Sequence, residues 1–339
     1  MKVGVVSSLT DRGIGIQSWE AARNLGADVL FVETKDPSAP SHPERAPGAT
    51  RVRWAAGLDP KATMAWLRTV DVVYAAETFY DSRLCAWARQ ADTLTVLHAN
   101  PEFYTGREDP DLLWSATAWR KDVMPARTEV VPFPVATDRF QWDDEPHFRR
   151  YDDRPRWVHV AGKRALADRN GTDTLMAALP LLKESCHVTV FVQHGEHPRL
   201  PVVPPHVRVH VSPSVPANYW DLYRNADALV LPRRYGGLCL PAQEACAAGL
   251  AVLMSDLIPN RMWPGPRVPA EFHRKVTMPC GRVPVYDVKP SALAAAMDEL
   301  ADPAVMARHQ AEARAWAQEH SWETLGPRWL ELFAMKEAA

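Results

Sequence analysis

Between Arg233 and Val252 the chain reads RRYGGLCLPAQEACAAGLAV, preceded by the apolar run ADALVLP and followed by LMSD. Two cations, a paired glycine and one carboxylate thus lie between a strand-like and a helix-like segment. Gly236 and Gly237 allow a sharp turn whose amides carry little side-chain bulk. A helix starting near Leu240 or Pro241 turns unpaired N–H groups back toward that turn, and its dipole favours an anion there. Proline in a first helical turn forfeits no hydrogen bond. The chemistry this spacing suits is a diphosphate cradle built from the amides of Gly237, Leu238, Cys239 and Leu240. Glu244, one turn in, cannot neutralise that anion but can accept hydrogen bonds from a neighbouring polyol such as a ribose. The same residues would also serve an ordinary strand–turn–helix connection with a solvated Glu. Arg233 and Arg234 either reach the phosphates or form a solvated pair.

Such a turn needs a sheet to hold it. Short β-branched runs, KVGVVS, ADVLFVE, RVRW, DVVYAA, TLTVLHA and EVVPFP, then RWVHVA, HVTVFV, HVRVHV, ALVLP and AVLMSD, alternate with helical segments. Those segments include GIQSWEAARNLG, PKATMAWLRTV, DSRLCAWARQ, GTDTLMAALPLLK, ANYWDLYRNA and LPAQEACAAG. The alternation predicts α/β architecture with parallel sheets and crossover helices. It breaks once, at ATDRFQWDDEPHFRRYDDRPR, which places a linker over 138–155 between Rossmann-like domains at 1–137 and 156–321. Three helical segments close the chain. In open α/β sheets ligands bind beyond the strand carboxyl ends, where the 233–252 stretch begins.

Bulk properties narrow the function. The 339 residues suffice for two domains, and a net charge of -2 gives no general grip on nucleic acid or anionic membranes. Five cysteines without a C-x-x-C pair indicate neither a disulfide framework nor a zinc knuckle, and a reducing, cytoplasmic setting is expected. No apolar run approaches the ~18 residues of a membrane span, and MKVGVVSS leads straight into a strand with no signal-peptide pattern. Trp, at 13, outnumbers Phe at 9 and Tyr at 8, which either follows from base composition or marks surfaces that stack bases or sugars.

The segment ADALVLPRRYGGLCLPAQEACAAGLAVLMSD resembles the donor site of family 4 retaining glycosyltransferases of the GT-B fold, whose usual form is Y-E-G-F-G-L-P-x-x-E-A-x-A-x-G. Tyr235, Gly237, Leu240, Pro241, Glu244, Ala245 and Gly249 match it. WVHVAGKRALADRNGTDTLMAAL is similar to the family's first donor-domain strand, its Gly-Arg/Lys turn and the following helix start. RVPVYDVKPSALAAAMDELADP resembles the next donor-domain helix. HSWETLGPRWLELF resembles the C-terminal helix, 322–339, that returns to the first domain. VLHANPEFY fits the strand ending in a His that faces the sugar, here His98. Two positions depart: Gly236 replaces the first Glu of E-x7-E, and Asn170 stands where a diphosphate-binding Lys is usual.

The resemblance implies transfer of a sugar from a UDP- or GDP-type donor to an acceptor hydroxyl, with retention and with neither a metal nor a further cofactor. Negative charge builds on the leaving diphosphate, so positive potential lowers the barrier. That role falls to Arg169, to Lys163 or Arg164, and to the amides of 237–240, with His98 on the sugar. In the front-face mechanism usually proposed for this family a donor phosphate oxygen takes the acceptor proton, so no paired carboxylates are required.

Other readings stay open. DRGIGIQSWEAARNLGADVLFVE places Gly13 and Gly15 in a partial dinucleotide fingerprint, with Ser18 at its third glycine and Glu33 ~20 residues on, which is the pattern of an NAD-dependent oxidoreductase. Within the glycosyltransferase resemblance the same glycines belong to a loop that opens a helix toward donor and acceptor. HGEH at 194–197 reads as a strand-end loop rather than a metal site. The acceptor is either a small molecule or glycan, or a hydroxymethylated base in DNA, as for some bacteriophage glycosyltransferases. RVRW and FRRY interleave cations with aromatics, but residues 1–140 hold 16 Lys and Arg against 18 Asp and Glu. A catalytically inactive sugar-nucleotide binder follows if Gly236 abolishes turnover.

Overall fold

The computed structural model describes residues 1–34, 40–140, 154–162, 167–193, 197–212, 214 and 216–334. The chain divides into two compact units, Met1–Pro134 with Met278–Gly281 and Trp322–Ala339, and Val135–Thr277 with Arg282–Ser321.

Unit 1 is a seven-stranded sheet ordered β3-β2-β1-β4-β5-β6-β7. Its strands are β1 (Val3–Ser7), β2 (Asp28–Glu33), β3 (Thr50–Arg53), β4 (Val72–Ala76), β5 (Leu94–Ala99), β6 (Leu112–Ser115) and β7 (Glu129–Val130). Helices α1 (Gly13–Asn24), α2 (Pro60–Leu67) and α3 (Leu84–Gln90) make crossovers. Every strand pair in it is parallel. The central strands are buried throughout, VGVVS and VVYAA without one exposed residue, as a sheet covered on both faces requires.

Unit 2 repeats the scheme with six parallel strands ordered β10-β9-β8-β11-β12-β13. They are β8 (Arg156–Val160), β9 (Cys186–Phe191), β10 (Val207–Ser212), β11 (Ala228–Leu231), β12 (Ala251–Ser255) and β13 (Arg267–Val268). Its helices are α4 (Thr172–Ala178), α5 (Leu240–Ala247), α6 (Pro290–Leu300) and α7 (Pro303–Glu319). In both sheets the order reverses beside the first strand, between β1 and β4 and between β8 and β11, which are the topological switch points of a doubly wound fold.

Three expectations change. ANYWDLYRNA forms a single 3-10 turn, Tyr219–Leu222, rather than an α-helix. EVVPFP contributes only the two residues of β7, since its two prolines cannot donate to a ladder. A hairpin, β14 (Ala270–Met278) with β15 (Gly281–Val288), stands where the sequence reading saw only the approach to a helix. Most of the expected linker, residues 141–153, lies outside the described residues.

Half of the twelve described tryptophans, Trp66, Trp114, Trp157, Trp263, Trp322 and Trp329, are buried. In unit 1 helix α8 (Trp322–Ala334) lays Trp322, Trp329 and Phe333 against Tyr74, Trp114 and Phe133. Trp114 and Phe333 stack at 5.3 Å, and the other ring pairs meet tilted or edge to face. Trp54, by contrast, is 45% exposed.

Candidate functional site

Two turns leave the sheet of unit 2 at its switch point, one after β8 that leads through 167–171 into α4, the other at 232–239 after β11. They are tied together, because the Arg234 amide donates to the Arg169 carbonyl at 2.8 Å. Gly236 takes φ +121°, a conformation that favours glycine, so the departure from the family pattern at this position is also what shapes the turn. Arg233 is not a phosphate ligand. Its side chain is 1% exposed, and it donates from Nη1 to the Gly237 carbonyl and from Nη2 to the Leu238 carbonyl, both at 2.8 Å. Ser255, at the end of β12, holds the Arg233 carbonyl in turn.

The two bonds orient two successive peptide planes of the turn. No peptide here is cis, so each N–H points opposite to the carbonyl of its own peptide plane. With the carbonyls of 237 and 238 drawn onto a buried guanidinium, the N–H groups of Leu238 and Cys239 point the other way. Neither meets a protein acceptor among the described residues. Helix α5 starts directly afterwards at Leu240, with Pro241 in its first turn, and the Cys239 carbonyl accepts from Ala242 and Gln243 at 3.1 and 3.2 Å. The turn amides thus lie next to the positive end of the α5 dipole.

Glu244 faces inward. It is 6% exposed, and Tyr223 Oη donates to its Oε2 at 2.6 Å, which overturns the solvated alternative. Burial first, then the neighbouring Glu244, push the Tyr223 hydroxyl well above its ordinary pKa, so it remains a donor. Tyr235 is 2% exposed and belongs to the core beneath the turn.

The turn after β8 is closed by side chains. Asn170, 6% exposed, donates Nδ2 to the Val160 carbonyl at 2.8 Å, so at the position of the family's lysine it locks the strand end and carries no charge. Asp168 accepts from the Thr172 and Asp173 amides at 3.0 and 2.8 Å, which places its own carboxylate on the head of α4. Arg169 is half-buried. Lys163 and Arg164 lie outside the described residues. Arg234, the other member of the arginine pair, donates Nε to Asp287 at 2.6 Å and Nη1 to the Ala167 carbonyl at 2.7 Å. Both arginines therefore brace turns, which corrects the expectation that they reach the phosphates or stand solvated.

In unit 1 Gly13 opens α1 and is exposed, whereas Gly15 is buried, and a Cβ there would lie 2.2 Å from the Thr10 carbonyl oxygen. The second glycine is thus explained by close backbone packing. His98 sits at the end of β5 but is 1% exposed, ringed by Tyr74, Trp114, Phe133 and Trp329, with Nδ1 3.2 Å from Tyr74 Oη. Burial lowers its pKa to about 3, so the ring is neutral. The expected sugar contact gives way to a core role, since no edge of the ring is open. Of HGEH, residues 194–196 lie outside the described residues and His197 is exposed. Among the described residues no group of three His, Cys, Asp or Glu is placed to hold a metal.

Sequence reasoning missed Arg233 as an internal clamp, Tyr223 as the partner of Glu244 and Asp168 as the acceptor for the first amides of α4. Only Asp168 had a legible signal, an acidic residue four positions ahead of a helix start.

The sequence model of the family described as Glycosyl transferases group 1 matches residues 155–302. No curated protein matches the sequence. Solved structures do match: sucrose-phosphate synthase from Thermosynechococcus elongatus, at 16% identity and TM-score 0.67, covers 100% of this chain and 99% of its own. HepE of Anabaena in complex with UDP, at 10% identity and TM-score 0.67, covers 99% and 100%. MurG of Acinetobacter baumannii, at 13% identity and TM-score 0.53, covers 99% and 100%. The chain thus has the GT-B fold over its whole length, and residues 155–302 carry the pattern of the group 1 glycosyltransferases.

Proposed function

We propose that this protein is a glycosyltransferase that moves a sugar from a nucleoside diphosphate donor to an acceptor hydroxyl. The observation that carries the reading is the pair of amides at Leu238 and Cys239 that have no protein acceptor among the described residues, joined to the head of α5 at the switch point of unit 2. In the reaction these amides and the helix dipole take the charge that accumulates on the departing diphosphate, and Arg169, on the adjoining turn, adds a cation. Glu244, oriented by Tyr223, takes a ribose hydroxyl. UDP is the favoured nucleotide, since HepE of Anabaena was solved with UDP and with UDP-glucose. The resemblance to family 4 adds retention, independence of a metal, and proton transfer through the donor phosphate.

The acceptor is a small molecule or glycan. The acidic balance of residues 1–140 disfavours a nucleic-acid strand, although a hydroxymethylated DNA base is the comparison to run beside it. The test is calorimetric titration with UDP and GDP, followed by donor hydrolysis over a panel of nucleotide sugars. Saturable binding of one nucleotide with turnover of a matching sugar is expected. Binding without turnover would leave a sugar-nucleotide binder, and heat from NADH but from neither nucleotide would restore the oxidoreductase.

A further inference from the structure

We infer that Arg233 is a positioning residue for the donor diphosphate: it aims the Leu238 and Cys239 amides without touching the ligand. The inference rests on the donor site proposed above. A long cation at the mouth of a phosphate site would ordinarily point outward and bind by charge. Here it is 1% exposed and its forked donors are spent on two successive carbonyls, at 2.8 Å each. Two parallel N–H bonds from one planar group fix two peptide planes at once, which a single point charge cannot do. The Ser255 hydroxyl grips the arginine's own carbonyl and anchors the device to the end of β12. The turn needs such a device because Gly236, at φ +121°, adds backbone freedom where the family pattern carries a glutamate.

A guanidinium that merely stabilised the fold would alter all ligands alike. One that aims amides at phosphate acts only on the phosphate-bearing part. Arg233→Met, close in length and uncharged, and Arg233→Lys, charged but without the rigid planar fork that spaces two carbonyls, are therefore titrated with UDP and with uridine. For both variants UDP affinity is expected to fall about tenfold or more while uridine affinity stays within about twofold of the parent. Arg233→Lys should recover less than half of the loss, counted logarithmically. If Arg233→Met fails to melt cooperatively, Arg233→Lys decides alone by the same split. UDP affinity unchanged in a folded variant, or UDP and uridine weakened equally, would overturn the inference. A parent protein that binds neither UDP nor GDP would instead overturn the donor site itself.

Discussion

The two sheets share a strand order, yet the turns at their switch points differ in chemistry. After β11 the turn uses Gly236 to reach its left-handed conformation and leaves two amides without a protein acceptor among the described residues. After β4 the same task falls to Glu77 at φ +61° and Tyr80 at φ +65°, with Leu9 at φ +46° on the facing turn after β1. Non-glycine residues held there cost about 1 kcal/mol or more each and persist where their surroundings hold them. In unit 1 the holding groups are carboxylates and hydroxyls. Glu108 Oε1 accepts from the Thr78 hydroxyl at 2.9 Å and from the Phe79 amide at 2.7 Å, and Tyr80 Oη bonds the Ser8 amide at 3.0 Å. Burial raises the Glu108 pKa, while its two donors pull the other way. One turn leaves two amides without a protein acceptor among the described residues, and the other satisfies its Phe79 amide with its own carboxyl, Glu108. A common topology fixes where a site lies, and the side chains of each turn decide its sign.

The comparison breaks most sharply at glycine. A Cβ on Gly171, at φ +74°, would sit 2.1 Å from the Pro232 carbonyl oxygen, where the two turns of unit 2 cross. Gly26, at φ +58° in unit 1, would meet nothing within 4 Å. Gly171→Ala is expected to cost about 3 kcal/mol or more, against about 1 kcal/mol for Gly26→Ala, by guanidinium denaturation. Equal costs would mean that the close approach of the two turns is relaxed in solution.

A smaller effect comes from acid. His98 titrates near 3 when folded and near ~6.5 when unfolded, so between those values the unfolded chain binds the extra proton. Its contribution to stability is complete above pH ~6.5 and is lost as pH falls toward 3, at up to about 1.4 kcal/mol per pH unit. His98→Phe, which keeps a ring among Trp114, Phe133 and Trp329, should flatten that part of the stability profile. A profile parallel to that of the parent would show that His98 is not buried neutral in solution.

The α/β alternation was legible because buried parallel strands such as VVYAA and AVLMS are short apolar runs bounded by turn signals. The head of α5 was legible too, since proline and glycine restrict backbone geometry locally. The destinations of side chains were not. Nothing in RRYGG distinguishes an arginine that reaches solvent from one folded back onto two carbonyls, because the residue types are the same in either case and only the path of the turn brings the Gly237 and Leu238 carbonyls to the guanidinium. His98 lay in a strand as expected, but its burial depends on Trp329 of α8, which no local pattern announces. The hairpin of β14 and β15 was hidden by charge, as Glu271, His273, Arg274 and Lys275 are exposed and break the apolar alternation.

The mildest test concerns how unit 1 holds its own turn. Tyr80 Oη lies 3.0 Å from both the amide and the hydroxyl of Ser8, joining the turn after β4 to the turn after β1 across the switch point. Tyr80→Phe removes that link while keeping the ring, and the buried Ser8 amide then loses the acceptor it has in the parent. A loss of about 1 kcal/mol in global stability is expected, with nucleotide affinity unchanged because the site proposed for it belongs to unit 2. A change in UDP affinity with no change in stability would instead assign Tyr80 to the ligand, and the division of labour between the two switch points would have to be redrawn.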